Sequence, residues 1–203
     1  MTSKISRLYR LDPKKTLFLL CDVQEKFKPG IPLFDSMIKN ANKLIQAGKA
    51  LQIPLVCTEQ YPEKMGKTVP EVDIAHACAV IEKTRFSMMV PEMEVKFKEI
   101  FGEKPRDVVL FGIETHVCIE QTIIDLLDNN INVFMVADCC ASRLKQDRDM
   151  AIERLRQMGA IVTTSESIIF NLLQDKDHPA FNVVRKLVNE PSLDMELSKT
   201  TSK

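Results

Sequence analysis

The stretch Gly112-Ile113-Glu114-Thr115-His116-Val117-Cys118 joins an apolar run to a segment with helical periodicity. The run before it, Val108-Val109-Leu110-Phe111, predicts a strand that is buried on both faces and ends at Gly112. Residues 119–127 carry apolar side chains at helical spacing, and we expect Thr115 to cap this helix. A strand followed at once by a helix is the repeating unit of α/β proteins.

Cys118 lies in the first turn of the predicted helix. The positive end of a helix dipole favours the thiolate over the thiol, so a nucleophile is expected at such a position. Free cysteine is also among the most frequently buried residue types, where it packs as a small hydrophobe. Position alone therefore leaves both interpretations open, and partners elsewhere in the chain have to decide between them.

Five further apolar runs resemble the one at 108–111, which makes six strand candidates. Their ranges are 17–21, 53–57, 77–81, 133–137 and 160–163. Helical stripes run from Met37 to Leu51 and from Met150 to Met158, and two more helices are predicted at 165–174 and 179–188. This alternation predicts a three-layer α/β/α fold of Rossmann-like architecture with a six-stranded, mostly parallel sheet.

The domain organisation follows from the same pattern. No repeat and no second domain is evident, so residues 1–190 are predicted to form a single domain. Residues 191–203 are polar and end in Ser-Lys-Thr-Thr-Ser-Lys, which predicts a flexible tail.

The charge balance and the N-terminal residues limit the class of protein. Lysine plus arginine and aspartate plus glutamate number 28 each, so there is no electrostatic case for nucleic acid or an anionic membrane. No apolar run is long enough to span a bilayer, and residues 1–7 lack the apolar core of a secretory signal. We expect a cytoplasmic protein, with a mitochondrial location as the alternative because the start is basic and free of acids.

Six cysteines could form three disulfides, but most of them fall within or beside apolar runs. This placement favours reduced thiols in an intracellular protein, and the neighbours Cys139 and Cys140 are expected to pack as a pair without a disulfide. No CxxC pair occurs and the three histidines are far apart in sequence. A zinc site is therefore not expected.

Polar residues follow several of the apolar runs. Ligands of open parallel sheets bind beyond the carboxyl ends of the strands, so these residues form the candidate site. Asp22, Lys83 and Cys118 would combine there into a nucleophilic site, with Lys83 favouring the thiolate and Asp22 accepting its proton. Taken singly, Asp22 could instead start a turn, and Lys83 could form a surface ion pair.

The ordered motifs resemble those of the isochorismatase-like cysteine hydrolases, and the closest resemblance is to the isochorismatase-domain-containing subgroup. The resemblance covers nearly the whole chain. The motifs that carry it are Leu20 to Phe27, Thr58 to Pro62, Glu82 to Ser87, Gly112 to Cys118, Asp138 to Arg143, Thr164 to Glu166, and His178 to Phe181.

The resemblance implies a role for each site residue. Cys118 would be the nucleophile, Asp22 the general base and acid, and Lys83 the cation that keeps the pair reactive. It also implies a cis peptide between Ile113 and Glu114, and an oxyanion hole made by the backbone N–H groups of Glu114 and Cys118. The chain has Glu59-Gln60-Tyr61 where metal-dependent nicotinamidases of the superfamily have an Asp-x-His element, which disfavours a metal.

Three aromatic residues are candidates for a substrate pocket. Phe27, Tyr61 and Phe86 follow the segments that carry Asp22, Gln60 and Lys83, although aromatic side chains are more often found in cores and interfaces. His116 is close to Cys118 in sequence, but this does not make it a base.

The leading hypothesis is a cofactor-independent cysteine hydrolase that acts on a small amide or related carbonyl compound through a thioester. Isochorismatases proper do not use this cysteine, so the presence of Cys118 argues against their reaction. The alternatives are an interaction protein that retains the hydrolase scaffold without significant turnover, and a thiol redox sensor that uses Cys118. The resemblance further implies a homo-oligomer and a small-molecule substrate.

Overall fold

The structure is a computed structural model that describes residues 10–197. Its strands are β1 (Thr16–Cys21), β2 (Leu55–Gln60), β3 (Ala79–Lys83), β4 (Asp107–Ile113), β5 (Asn132–Ala141) and β6 (Ile161–Thr163). They form one sheet in the order β3-β2-β1-β4-β5-β6, and every pairing between these strands is parallel. The prediction of a six-stranded parallel sheet is confirmed.

Seven α-helices flank the sheet within the described residues. They are α1 (Phe34–Ala50), α2 (Pro62–Met65), α3 (Pro91–Phe101), α4 (Glu120–Asp128), α5 (Lys145–Gln157), α6 (Ser165–Leu173) and α7 (Phe181–Val188). Helix α1 contacts α6 and α7, while α4 contacts α5, and members of both groups pack on β5. The layers are those of the predicted α/β/α fold.

Strands β2 and β3 begin two residues later than their apolar runs and extend further into polar sequence. Pro54 stands outside β2, where its carbonyl accepts a hydrogen bond from the backbone of Phe18 at 2.9 Å. Strand β2 continues to Gln60, and β3 continues to Lys83. Apolar runs mark the buried part of a strand, so the runs at 53–57 and 77–81 stop short of the polar residues that complete β2 and β3.

The core lies between the sheet and the helices. Phe18 of β1 and Phe111 of β4 meet edge to face with ring centroids 6.0 Å apart. Gly48 interrupts the apolar stripe of α1 because a Cβ atom there would lie 2.5 Å from the ring of Phe18. In α5 the stripe prediction holds only in part, since Met150 is 60% exposed.

The cap predicted at Thr115 is wrong. Residues Thr115–Ile119 form a π-helical turn ahead of α4, and Thr115 is fully buried. Its hydroxyl donates to the carbonyl of Ala141 at 3.2 Å, and its N–H donates to Oγ of Ser142 at 3.1 Å. Thr115 therefore ties the turn to the end of β5 instead of capping α4.

Part of the expected flexible tail differs from the prediction. Met195 is buried, and the backbone of Leu193 exchanges two hydrogen bonds with the side chain of Asn40 in α1, at 2.8 and 2.9 Å. Residues 191–197 are thus held against the core by apolar packing and by a buried amide.

Residues 198–203, like the basic start at 1–7, lie outside the described residues. Within residues 10–197, every helix is too short or too polar to span a bilayer.

Candidate active site

The carboxyl ends of three strands bring the predicted catalytic side chains together. Asp22 follows β1 directly, Lys83 is the last residue of β3, and Cys118 lies in the π-helical turn after β4. A carboxylate oxygen of Asp22 lies within 4.8 Å of Sγ of Cys118, and Oδ2 of Asp22 accepts a hydrogen bond from Nζ of Lys83. All three residues are buried, with Cys118 5% exposed.

Asp22 is a buried carboxylate with a donor on each oxygen. Oδ1 accepts a hydrogen bond from the hydroxyl of Thr58 at 2.7 Å, and Oδ2 accepts one from Nζ of Lys83 at 2.6 Å. The backbone of Asp22 has a φ of 52°, in the left-handed region that costs a residue with a side chain about 1 kcal/mol. The contacts to Thr58 and Lys83 hold the carboxylate in this position.

Lys83 is enclosed by acceptors. Besides Asp22, its Nζ donates to Oε1 of Gln60 at 2.7 Å and to the carbonyls of Phe86 and Arg85 at 2.9 and 3.2 Å. Burial by itself lowers the pKa of Lys83, but attraction to the acidic groups around it, which are the Cys21, Asp22 and Cys118 side chains, outweighs this effect, so the pKa is raised. Lys83 is therefore a fixed cation at neutral pH.

Two glutamines and a threonine complete the arrangement, although no role for these side chains was predicted from the sequence. Gln24 links β1 to β2, since its amide donates to the carbonyl of Gln60 at 3.0 Å and its Oε1 accepts from the backbone N–H of Gln60 at 2.7 Å. Thr58 and Gln60 occupy alternate positions of β2, which places both side chains on one face beside Asp22 and Lys83. This alternation is the signal that could have identified them.

The segment between β4 and Cys118 is anchored to the loop after β5. The peptide bond between Ile113 and Glu114 is cis. The Glu114 carboxylate accepts hydrogen bonds from the backbone N–H and Nε of Arg143 at 2.9 and 3.3 Å. Nδ1 of His116 lies 3.1 Å from Oγ of Ser142. The imidazole thus contacts the same hydroxyl that accepts the hydrogen bond from the N–H of Thr115.

The three aromatic candidates occupy different surroundings. Tyr61 is 43% exposed and lines a cavity of about 400 Å³ beside Lys83, together with residues of β3 and the start of α3. The residues that line this cavity include neither Asp22 nor Cys118. Phe27 is half-buried against the core, and Phe86 is exposed while its carbonyl holds Lys83. Their roles in substrate binding remain predictions.

Asp138, the first residue of one of the family motifs, contacts the start of α6. Its Oδ1 accepts from the backbone N–H of Ser165 at 2.7 Å, and its Oδ2 accepts from the Ser165 hydroxyl at 2.6 Å. Strand β5 runs past Asp138 to Ala141, with a register shift against β4, so Asp138 lies inside the strand and not beyond it. Its role in the structure is to cap a helix.

We expect the stability difference between the wild type and Asp138→Asn to fall as the pH rises. Burial raises the pKa of Asp138 above its usual value, although the Ser165 donors oppose this shift. The folded state thus binds the proton more tightly, and the carboxyl contributes most stability below the unfolded pKa and loses it as the pH rises through the folded pKa. Urea unfolding of both proteins from about pH 4 to 7 measures this difference, and a difference that grows with pH would contradict the prediction.

One group of three side chains within residues 10–197 has ligand atoms close enough to share a metal ion. Sγ of Cys21, Sγ of Cys118 and a carboxylate oxygen of Asp22 all lie within 4.8 Å of one another. The ammonium of Lys83 already occupies Oδ2 of Asp22, and a second positive charge beside it would be repelled. The donor set is therefore a poor fit for a resident cation.

A family model described as the isochorismatase domain matches residues 16–167. The chain belongs to the isochorismatase-domain family. The matched span begins at β1 and contains Asp22, Lys83 and Cys118. The family consists in general of isochorismatase-like hydrolases, which confirms the resemblance found in the motifs.

Two curated relatives of the isochorismatase-domain family carry names that specify the domain but no substrate. Isochorismatase domain-containing protein 1 of Danio rerio is 45% identical over 184 residues, which cover 91% of this chain and 64% of the relative. Isochorismatase domain-containing protein 2 of Xenopus laevis is 42% identical over 195 residues, which cover 96% of this chain and 94% of the relative. The chain thus spans less than two thirds of the Danio rerio protein and nearly all of the Xenopus laevis protein.

Solved structures share the fold of this isochorismatase-domain chain. A structure described as MAR1 ribonuclease from Caenorhabditis elegans has a TM-score of 0.88 and 39% sequence identity, and the match covers 96% of this chain and 100% of that one. A hypothetical protein from Trypanosoma cruzi has a TM-score of 0.82 and 32% identity over 92% of this chain and 98% of that one.

Proposed function

We propose that the protein is a cofactor-independent cysteine hydrolase that acts on a small amide or related carbonyl compound. The observation that carries the proposal is the buried Asp22–Lys83 ion pair, with a carboxylate oxygen within 4.8 Å of Sγ of Cys118. A buried carboxylate that is held by a cation and faces a thiol is suited to move a proton to and from sulfur. Membership of a family of hydrolases supports the same reaction class.

In the proposed mechanism, Asp22 accepts the thiol proton of Cys118, and the thiolate attacks the substrate carbonyl. The backbone N–H groups of Glu114 and Cys118 stabilise the oxyanion. The tetrahedral intermediate collapses to a thioester, and the amine leaves with the proton that Asp22 returns. Asp22 then activates a water molecule that hydrolyses the thioester, which releases the acid and restores the thiol.

Lys83 has two roles in this mechanism. Its charge stabilises the carboxylate of Asp22 and the thiolate of Cys118, since both attract it strongly enough to raise its own pKa. Its four acceptors also fix the position of the ammonium, so the charge needs little rearrangement when the thiolate forms.

The substrate is proposed to be a small molecule. Phe27, Tyr61 and Phe86 are the proposed substrate-binding residues, on the sequence argument alone. The protein as a whole carries no net charge, which does not favour a polyanion such as RNA. The Caenorhabditis elegans relative is nevertheless described as a ribonuclease, so RNA belongs among the substrates to be tested.

We also propose that the protein forms a homo-oligomer, which light scattering would test. The proposed location is cytoplasmic, which suits six free thiols.

Turnover by the wild type and by Cys118→Ala tests the function. We expect the wild type to hydrolyse members of a panel of small amides and esters, and Cys118→Ala to lose this activity because the nucleophile is absent. A single-stranded RNA in the same panel is expected to be cleaved by neither protein. Equal turnover of an amide or ester by both proteins would overturn the proposal.

Selective alkylation gives a second readout that needs no substrate. Iodoacetamide at neutral pH is expected to modify Cys118 in preference to Cys57, because burial raises the pKa of Cys57 to about 12 and keeps it a thiol. Cys57→Ala is the matched control and should retain both hydrolysis and labelling of Cys118. Partner capture by a protein whose Cys118 stays unlabelled would instead favour an interaction protein on a hydrolase scaffold.

A further inference from the structure

Cys21 is a buried thiol that the proposed mechanism does not use. It is the last residue of the central strand β1 and is fully buried. Its Sγ lies within 4.8 Å of Sγ of Cys118. Two thiols at this distance, one of them a proposed nucleophile, can undergo a reaction that neither can undergo alone.

We propose that Cys21 is a resolving cysteine, which converts peroxide-oxidised Cys118 into an intramolecular Cys21–Cys118 disulfide and so switches the site off reversibly. The proposal rests on the proposed function, because it requires Cys118 to be a reactive thiol. The oxidant is a hydroperoxide. The reductant that reopens the disulfide is a dithiol.

The reaction balances in two steps. The thiol of Cys118 attacks the hydroperoxide, the O–O bond breaks, an alcohol or water leaves, and Cys118 becomes a sulfenic acid. Sγ of Cys21 then attacks Sγ of Cys118, the S–O bond breaks, and the thiol proton of Cys21 leaves with the hydroxyl as water. The second step forms the disulfide and needs no further oxidant.

The surroundings of the two thiols decide which is oxidised first. Cys118 is 5% exposed, whereas Cys21 has no exposed surface, so a peroxide that enters from solvent meets Cys118 first. Burial, together with the neighbouring Cys118 side chain and the charge of Asp22, raises the pKa of Cys21 well above its usual value. Cys21 therefore stays a thiol until the sulfenic acid forms next to it. The carboxylate of Asp22, within 4.8 Å of both sulfurs, can pass the thiol proton of Cys21 to the hydroxyl that leaves as water.

Closing the disulfide requires the sulfurs to approach to about 2.05 Å. Strand β1 is paired on both sides, with β2 and β4, so Cys21 cannot move far. Cys118 lies instead in a single π-helical turn, a form that is less regular than the α-helix. The turn is therefore the part that moves, and its movement removes the nucleophile from the substrate.

Mass spectrometry of the full-length protein after treatment with hydrogen peroxide tests the proposal. The expected product of the wild type is a cross-linked peptide pair that contains Cys21 and Cys118 and is lighter by two hydrogen atoms. Iodoacetamide labelling of Cys118 should be lost after peroxide and recovered after dithiothreitol. In Cys21→Ala, peroxide should carry Cys118 on to the sulfinic acid, which dithiothreitol does not reverse.

The control variant is Cys57→Ala, which removes another buried thiol and should form the same cross-link as the wild type. Cys21→Ser serves as a second variant that preserves side-chain volume, and its folding can be checked by circular dichroism. Sulfinic acid at Cys118 in wild type and Cys21→Ala alike, without a cross-link, would overturn the resolving role while leaving the hydrolase proposal intact. A Cys118 that iodoacetamide does not label before oxidation would overturn both.

Discussion

Lys83→Met should destabilise the protein by about 3–5 kcal/mol and abolish hydrolysis. The side chains of Lys83 and Asp22 are 0% and 1% exposed, and their ion pair is 2.6 Å long. Removal of the ammonium leaves the carboxylate buried with the Thr58 hydroxyl as its remaining donor. The cost is that of an uncompensated buried charge, which far exceeds the net value of an ion pair at the surface.

The double variant Asp22→Asn/Lys83→Met separates stability from function. It removes both charges and retains an acceptor for Thr58, so we expect it to recover most of the lost free energy of unfolding while remaining inactive. Lys96→Met is the matched control, because it breaks a partly exposed pair with Glu99 and should cost less than about 1 kcal/mol. Denaturant unfolding measures all four proteins. A double variant as unstable as Lys83→Met would show that the buried charge is not the cause.

Gly112→Ala should destabilise the protein by about 3 kcal/mol or more, or prevent folding. Gly112 has a φ of 123°, and a Cβ atom there would lie 2.2 Å from the carbonyl oxygen and 2.8 Å from the nitrogen of Cys21. Both atoms belong to the backbone of the paired strand β1, so neither can rotate away. The absence of a side chain at Gly112 thus sets how closely β4, and with it Cys118, approaches β1.

Gly159→Ala is the matched control for this change. Gly159 has a similar φ of 106°, but a Cβ atom there would meet nothing within 4 Å. Only the backbone cost of about 1–2 kcal/mol is expected. Thermal unfolding measures the stability of both variants. Gly159→Ala reports the backbone strain alone, and Gly112→Ala reports the strain together with the steric overlap with Cys21. Equal losses of stability would contradict the proposed contact with Cys21.

The sequence was most informative where the sheet is buried on both faces. Strands β1 and β4 are buried along their whole length, and their apolar runs are continuous. The edge strand β3 alternates between buried and exposed residues towards its end, so its apolar run marked it two residues too early. The stripe assigned to α5 included Met150, which is exposed, because periodicity gives the face of a helix but not what covers it.

The candidate site could be predicted in its members but not in its contacts. The rule that the carboxyl ends of parallel strands share an edge predicts that Asp22, Lys83 and Cys118 meet, and the family motifs select these three among the polar residues there. The hydrogen bonds of Thr58 and Gln60 to Asp22 and Lys83 depend on strand register, which a single sequence does not fix. The exposed fractions and contacts of the aromatic candidates likewise depend on packing between distant segments.

What the sequence by itself determined is the alternation of strands and helices, the family motifs and the thiol at the end of β4, because these are local patterns of side chains along the chain. Only the tertiary structure decided that Thr115 binds Ala141, that Asp138 caps α6, and that Cys21 stands beside Cys118. These contacts join residues from 26 to 97 positions apart. Their formation depends on strand order, register and the close approach at Gly112, and these are settled by packing of the whole sheet.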